Sequence, residues 1–264
     1  MSGLRAGPLT GRGAVITGGG RGIGAAAARA LAGAGAAIVV AARTASEIDA
    51  VARELRAQGA RAWGIPCDAT SEESVRALAE AAAKHLGAVD ILVNNAGDAA
   101  SSPLARITLA EWNRTLAVNA TSTFLCSREL APAMAERGWG RIVNVASIAG
   151  LEGGKYVAHY TAAKHAVIGF TRSVALELRG SGVTVNAVCP AYVDTPLTER
   201  TLARVETATG RGRDQALAAV LATTGQERLL APEEVAAAIL ALCLDTASNV
   251  TGTEVVMRAE GSVP

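Results

Sequence analysis

The chain has 264 residues and a formal net charge of +1, with half of its residues hydrophobic and only 3% aromatic. That is enough apolar material for one large α/β domain with a buried core, and no Pro/Ser-rich linker or charge block divides the chain. The near-neutral charge speaks against nucleic acid or a membrane surface as partner, and the widely spaced Cys67, Cys126, Cys189 and Cys243, with no CxxC pair, speak against a disulfide framework or zinc cage.

His85, His159 and His165 show no HExxH-like spacing, so no metal site is expected. Met1 to Gly13 lacks an apolar core of signal-peptide length, and charged residues or Gly interrupt every long apolar run. A cytoplasmic protein without membrane spans is therefore expected.

In chain order, strands are expected at Ala14–Thr17, Ala37–Ala41, Arg61–Pro66, Val89–Val93, Arg141–Ala146 and Val183–Val188, with a last one at Glu254–Met257. Helices are expected at Gly24–Ala34, Ala45–Gln58, Ser71–Leu86, one long helix from about Leu109 to Arg137, Val157–Arg179, and Pro232 to about Leu244. The strands are continuous apolar runs, such as Ile38-Val39-Val40 and Ile91-Leu92-Val93, as in a parallel sheet buried on both faces. Strand–helix alternation then gives the expected fold class: α/β, a single-domain Rossmann-type doubly wound sheet of about seven strands. Leu197–Thr224 reads as a helical lid over a substrate or as a surface excursion.

Two patterns carry chemistry. Thr17-Gly18-Gly19-Gly20-Arg21-Gly22-Ile23-Gly24 joins the first strand to the first helix, where backbone N–H groups and a helix N-terminus suit a pyrophosphate. The spacing is TGxxxGxG, not GxGxxG. The second strand ends Ala41-Ala42-Arg43-Thr44 without an acid, so Arg43, with Arg21 as a second cation, points to NADP(H) in preference to NAD(H). The alternative is a merely solvated Arg43. In the second pattern, Tyr160 and Lys164 stand at i and i+4 of an expected helix, on one face. A nearby ammonium is expected to lower the tyrosine pKa and fit it for proton transfer. Ser147 closes the run Ile142–Ala146, at the carboxyl end of a strand where α/β sheets place ligands.

With these residues in place, the chain resembles the classical short-chain dehydrogenase/reductase family over nearly its whole length. The glycine turn resembles its cofactor signature, Asn94-Asn95-Ala96-Gly97 its NNAG motif, and Ser147 with Tyr160-Thr161-Ala162-Ala163-Lys164 its Ser and YxxxK elements. Asn119 matches its helix asparagine. The resemblance implies that Tyr160 is the acid in reduction and the base in oxidation, that Ser147 steadies the substrate oxygen, and that Lys164 binds the nicotinamide ribose. It also implies that Asn119 helps hold a water that relays protons through Lys164. Gly18, Gly20, Arg21, Gly22, Ile23 and Arg43 would hold the cofactor. So would Asp68, at the adenine, with Ala69. Asn94, Asn95, Ala96 and Gly97 would line it, and Pro190, Val193 and Thr195 would embrace the nicotinamide. Two departures stand out: Pro190-Ala191 where the family has Pro-Gly, and Met257-Arg258-Ala259-Glu260-Gly261 where it often ends in Asp-Gly-Gly. His159 and His165 are read as packing or surface residues.

The stretch from Arg141 to Thr195 is most similar to bacterial 3-oxoacyl or polyketide ketoreductases and hydroxyacyl dehydrogenases. A small carbonyl or alcohol substrate follows, an acyl thioester being one candidate, with Arg200, Arg204, Arg211 and Arg213 of the lid available to phosphates. A solvated face is the alternative for these four. An NAD-dependent alcohol or hydroxyacyl dehydrogenase and a non-catalytic dinucleotide sensor are the competing readings. The resemblance also implies a homotetramer built on the two long helices.

Overall fold

The computed structural model describes residues 7–259. Seven strands form one sheet: β1 (Gly13–Thr17), β2 (Ala37–Ala42), β3 (Ala62–Pro66), β4 (Ile91–Asn94), β5 (Gly140–Val145), β6 (Val183–Pro190) and β7 (Glu254–Met257). Their order is β3-β2-β1-β4-β5-β6-β7, and every pairing is parallel. Chain order reverses between β1 and β4, so a crevice opens there at the carboxyl ends of the strands.

Successive side chains of a strand point to opposite faces, and β1, β2, β4, β5 and β6 are buried on both, whereas the edge strands β3 and β7 are only partly buried. Ile16, Val40, Val93 and Val143 face a core closed by α1 (Gly22–Gly33), α2 (Ala45–Ala57) and α9 (Pro232–Cys243). Val15, Val39, Leu92 and Ile142 face the opposite core, closed by α3 (Glu72–Leu86), α5 (Ser122–Glu136) and α6 (Ala158–Glu177). In α1, Ala25, Ala26, Ala27 and Ala28 are all buried, and such small side chains let the helix lie close to the sheet. All four cysteines are free and buried within the fold.

The long helix expected from Leu109 to Arg137 is interrupted. Its first part, α4 (Leu109–Leu116), starts at a capping box made by Thr108 and Glu111. A π-helical turn then occupies Ala117–Thr121, and Ser122 begins α5. Asn119 lies at the centre of that turn. The segment Leu197–Thr224 is helical, as α7 (Pro196–Thr209) and α8 (Arg213–Ala222) joined through the left-handed Gly210. No helix among the described residues is long and apolar enough to cross a membrane.

Candidate active site

Two adjoining clefts lie at the carboxyl ends of the strands, of about 200 and 290 Å³, sharing Ile23, Asn95, Gly97 and Thr195 on their walls. The first is floored by the glycine turn. Gly18 has φ +62°, and a Cβ there would stand 2.9 Å from Asn95 Nδ2. At Gly24 a Cβ would meet the Gly18 carbonyl oxygen at 2.3 Å, so the helix start and the turn touch backbone to backbone. Asn95 fastens this turn by donating from Nδ2 to the carbonyls of Thr17 and Gly18, at 3.1 and 3.0 Å. Thr17 Oγ1 in turn accepts from the N–H groups of Asn95 and Ala96, both at 3.1 Å. The structural part of Thr17 was hidden in the sequence, because a buried threonine that ends a strand looks like any other.

Gly18, Gly20, Arg21, Gly22 and Ile23 line this first cleft, and beside them stand Arg43, Asp68 and Ala69 from the ends of β2 and β3. Asn95, Ala96 and Gly97 close it from the β4 side, and Thr195 from the loop after β6. Asn94 is not on the wall. Its side chain is buried and donates to Asn144 Oδ1 at 2.8 Å and Ser127 Oγ at 2.9 Å, while Asn144 donates to Thr171 Oγ1 at 2.8 Å. This polar network ties β4 and β5 to α5 and α6, so the asparagine expected to line the cofactor is a structural one.

Arg21 also departs from expectation. Its guanidinium pairs with Glu47 of α2 at 3.1 Å, so it is not a free second cation. Glu47 sits on the cleft wall and was missed, since nothing in sequence marks an acid on α2 as facing the glycine turn. Arg43 is exposed and forms no salt bridge with a described residue, and its charge helps hold Asp68 below the usual carboxylate range. The larger causes of that shift are the backbone N–H and hydroxyl of Thr70, which donate to Asp68 Oδ1 at 3.0 and 2.7 Å.

The second cleft brings together Asn119, Ser147, Tyr160 and Lys164 with Pro190 and Val193. Ser147 follows β5, and its Oγ accepts from Ala149 N–H at 3.2 Å. Tyr160 and Lys164 share a face of α6, as their spacing predicts. Lys164 is buried and donates from Nζ to Val145 O at 2.8 Å, with Nζ 5.8 Å from the Tyr160 ring centre. Burial pulls its pKa down to about 8. The Tyr160 hydroxyl is pushed up to about 12, chiefly by burial, with hydrogen bonding to Ser147 working the other way and the charges of Tyr192 and Asp98 adding to the rise. The expected lowering by Lys164 does not occur here: the ammonium is turned towards a strand-end carbonyl, and desolvation is the largest influence on the hydroxyl. Asn119 donates from Nδ2 to the carbonyls of Asp98 and Thr115, both at 2.9 Å, while its Oδ1 is buried with no hydrogen-bond partner. The π turn sets this direction, as such turns often do at functional sites.

The family model for short chain dehydrogenases matches residues 12–206. The chain belongs to the short-chain dehydrogenase family. As a member it is an oxidoreductase, and its seven-stranded parallel sheet is that of solved relatives. It is 43% identical to the cis-4-hydroxycyclohexanecarboxylate dehydrogenase of Sinomonas cyclohexanicum, over 91% of this chain and 92% of that one. It is 38% identical to a 3-oxoacyl-[acyl-carrier-protein] reductase of Synechocystis, over 72% of this chain and 78% of the relative. The crystal structure of an actinorhodin polyketide ketoreductase variant with NADPH superimposes with a TM-score of 0.90 at 34% identity, covering 97% of this chain and 98% of that one.

The Ala191 departure leaves the backbone of this family member in an ordinary conformation. Tyr156 is the one non-glycine described residue with positive φ, so Ala191 fills an ordinary conformation, and its N–H donates to Met257 O at 2.9 Å. Met257, Arg258 and Ala259 are described, while Glu260 and Gly261 lie outside the described residues. Of the lid arginines, Arg200 pairs with Asp98 and Arg213 with Glu199, whereas Arg204 lines the second cleft. His159 is buried between α6 and α4, and His165 is exposed.

Proposed function

We propose that the protein interconverts a ketone and a secondary alcohol with NADP(H), with Ser147, Tyr160 and Lys164 as catalytic residues and Asn119 supporting Lys164. The observation that carries this reading is the convergence of these four side chains on one cleft, next to a glycine turn at the switch point of the sheet.

A dinucleotide fits the two clefts. The glycine turn leaves backbone N–H groups beside the N-terminus of α1, where no acidic side chain occupies the first turn. The buried, unpartnered Oδ1 of Asn119 is an acceptor awaiting a donor. Gly18, Gly20, Gly22 and Ile23 would hold the pyrophosphate, Arg43 the 2′-phosphate, and Asp68 with Ala69 the adenine. Asn95, Ala96, Gly97, Pro190, Val193 and Thr195 would flank the nicotinamide half. When bound, this group donates or accepts the hydride.

The chain's own residues handle the oxygen and its proton. Tyr160, with its pKa pushed up to about 12, stays protonated at neutral pH and gives its proton to the developing alkoxide in reduction. Ser147 donates to the same oxygen, which stabilises charge there in a partly desolvated cleft. Lys164, with a pKa of about 8, is charged or neutral within the working range and can pass a proton onward.

A second reading, an NAD-dependent alcohol or hydroxyacyl dehydrogenase, is favoured by the Glu47–Arg21 pair and by Asp68 beside Arg43, which together leave the corner near charge balance. Titration with NADPH and NADH, followed by cofactor fluorescence, decides between them. The NADP reading expects NADPH tighter by roughly five- to 150-fold, the scale of a charge-assisted contact, with that ratio lost in Arg43→Ala. It also expects the ratio to rise a few-fold in Glu47→Gln, which frees Arg21. Equal or tighter NADH binding in the parent would select the dehydrogenase reading.

Among ketones, a 3-oxoacyl or polyketide-type thioester is the substrate class that the reductase relatives' names support. The second cleft offers both apolar and polar side chains to such a substrate, among them Ile148, Val157 and Leu197 beside Ser147 and Tyr160.

A further inference from the structure

We infer that the second cleft selects substrates bearing an anionic group, received between Lys155 and Arg204. This rests on the carbonyl-reductase reading above. Besides the buried Lys164, four charged side chains line the cleft: Asp98, Glu152, Lys155 and Arg204. Both acids are already neutralised, Asp98 by Arg200 at 3.0 Å and Glu152 by Arg258. Neither base forms a salt bridge with any described residue. Among the described residues, the mouth of the cleft therefore carries positive charge without a paired acid, on a chain whose formal net charge is only +1.

The two cations come from different walls and one loop orients both. Arg204 projects from α7 and donates to Ala99 O at 3.2 Å, which leaves most of its five N–H donors free. Lys155 precedes α6, and its ammonium lies 5.1 Å from the Tyr156 ring centre. Tyr156 holds the left-handed backbone noted above, with φ 67°, and its carbonyl accepts from Ser102 N–H at 2.7 Å. Strain of this kind persists where surrounding contacts fix it, and it concentrates around ligand sites. Residues 99 to 102 thus place Arg204 directly and the Lys155–Tyr156 corner through one hydrogen bond. The two acids lining this cleft are engaged with Arg200 and Arg258, so a substrate carboxylate or phosphate would supply the counter-charge for these cations. Both cations are exposed, so each is expected to contribute up to about fivefold in affinity, the upper end for exposed ion pairs, and less at high salt.

The anion has two possible sources, a carboxylate on the ketone itself or a phosphate on a carrier arm. Two matched pairs of probes separate them: 4-oxocyclohexanecarboxylate with its methyl ester, and 3-oxobutyryl-pantetheine 4′-phosphate with the unphosphorylated thioester. For each pair, kcat/KM is measured with NADPH and with NADH, and Kd by calorimetry with and without oxidised cofactor. The charged member of one pair should be favoured at least fivefold at low salt, with the ratio falling towards one in the Lys155→Gln, Arg204→Gln double variant. Lys155→Arg and Arg204→Lys should retain it. Preference in the first pair assigns a carboxylate, and preference in the second a phosphate. No preference in either pair, or a preference that survives the double variant, overturns the inference. Charge-selective binding of these probes without reduction by either cofactor would leave the inference standing and sink the reductase reading instead.

Discussion

At the residue scale, the contest at Tyr160 is between desolvation and charge. Burial raises the hydroxyl to about 12 and lowers Lys164 to about 8, so the pair is held with the tyrosine protonated. The sign of the pH dependence follows. Reduction needs the protonated phenol and should be flat from about pH 6 to 7, below the range in which Lys164 titrates, while alcohol oxidation needs the phenolate and should keep climbing with pH without a plateau below pH 10. Initial rates in both directions across this range check it. An oxidation plateau below about pH 8 would mean that Lys164 does depress the tyrosine in the working enzyme, the outcome that the i, i+4 spacing suggested. That spacing was legible in sequence, whereas Ser147 took its role only from the family resemblance; the structure sets all three on the wall of one cleft. The direction of the ammonium was not legible, because it depends on a strand-end carbonyl at Val145, nineteen residues away.

At the element scale, the glycine turn and the π turn position the chemistry. Gly24 was legible as part of a phosphate-binding pattern, and the structure adds its close backbone contact with Gly18. Gly24→Ala should therefore open the turn: dinucleotide affinity by fluorescence titration should fall at least about tenfold, and thermal stability should drop, as overpacking against backbone commonly costs 1–3 kcal/mol. Unchanged affinity would mean that the turn does not hold the cofactor. The π turn at Ala117–Thr121 was invisible, because periodicity over Leu109–Arg137 reads as one helix and a single widened turn shifts the pattern by only one residue. Ion pairs such as Arg21–Glu47 were equally unreadable, since 26 residues separate partners that the fold of α1 on α2 brings together. The strands, by contrast, were legible to within two residues at each end, since the central ones are apolar runs buried on both faces of a parallel sheet.

At the scale of the whole molecule, the active site occupies one end of the sheet and the long helices one side. Phe124 of α5 is 41% exposed and meets Phe170 of α6 edge to face, with Leu176 further along α6 63% exposed. Exposed apolar side chains on adjoining helices suit contact with a further copy, and we propose that α5 and α6 build a homotetramer. Light scattering should give four chains for the parent and fewer for Phe124→Asp, whereas a monomeric parent would contradict the assembly. Lys155 and Arg204 line the second cleft from the loop before α6 and from the lid, whereas Phe124 and Leu176 lie on α5 and α6, so the proposed substrate selection and the proposed assembly draw on different side chains.

In the proposed reaction Tyr160 delivers the proton as hydride reaches the carbonyl, and single-turnover oxidation of NADPH by a ketone substrate, followed by stopped-flow fluorescence in the parent and in Tyr160→Phe, tests that step. The variant should bind NADPH as the parent does and turn over about 10²–10⁴-fold more slowly, the usual reach of a general acid. A variant that reduces the ketone as fast as the parent would contradict it.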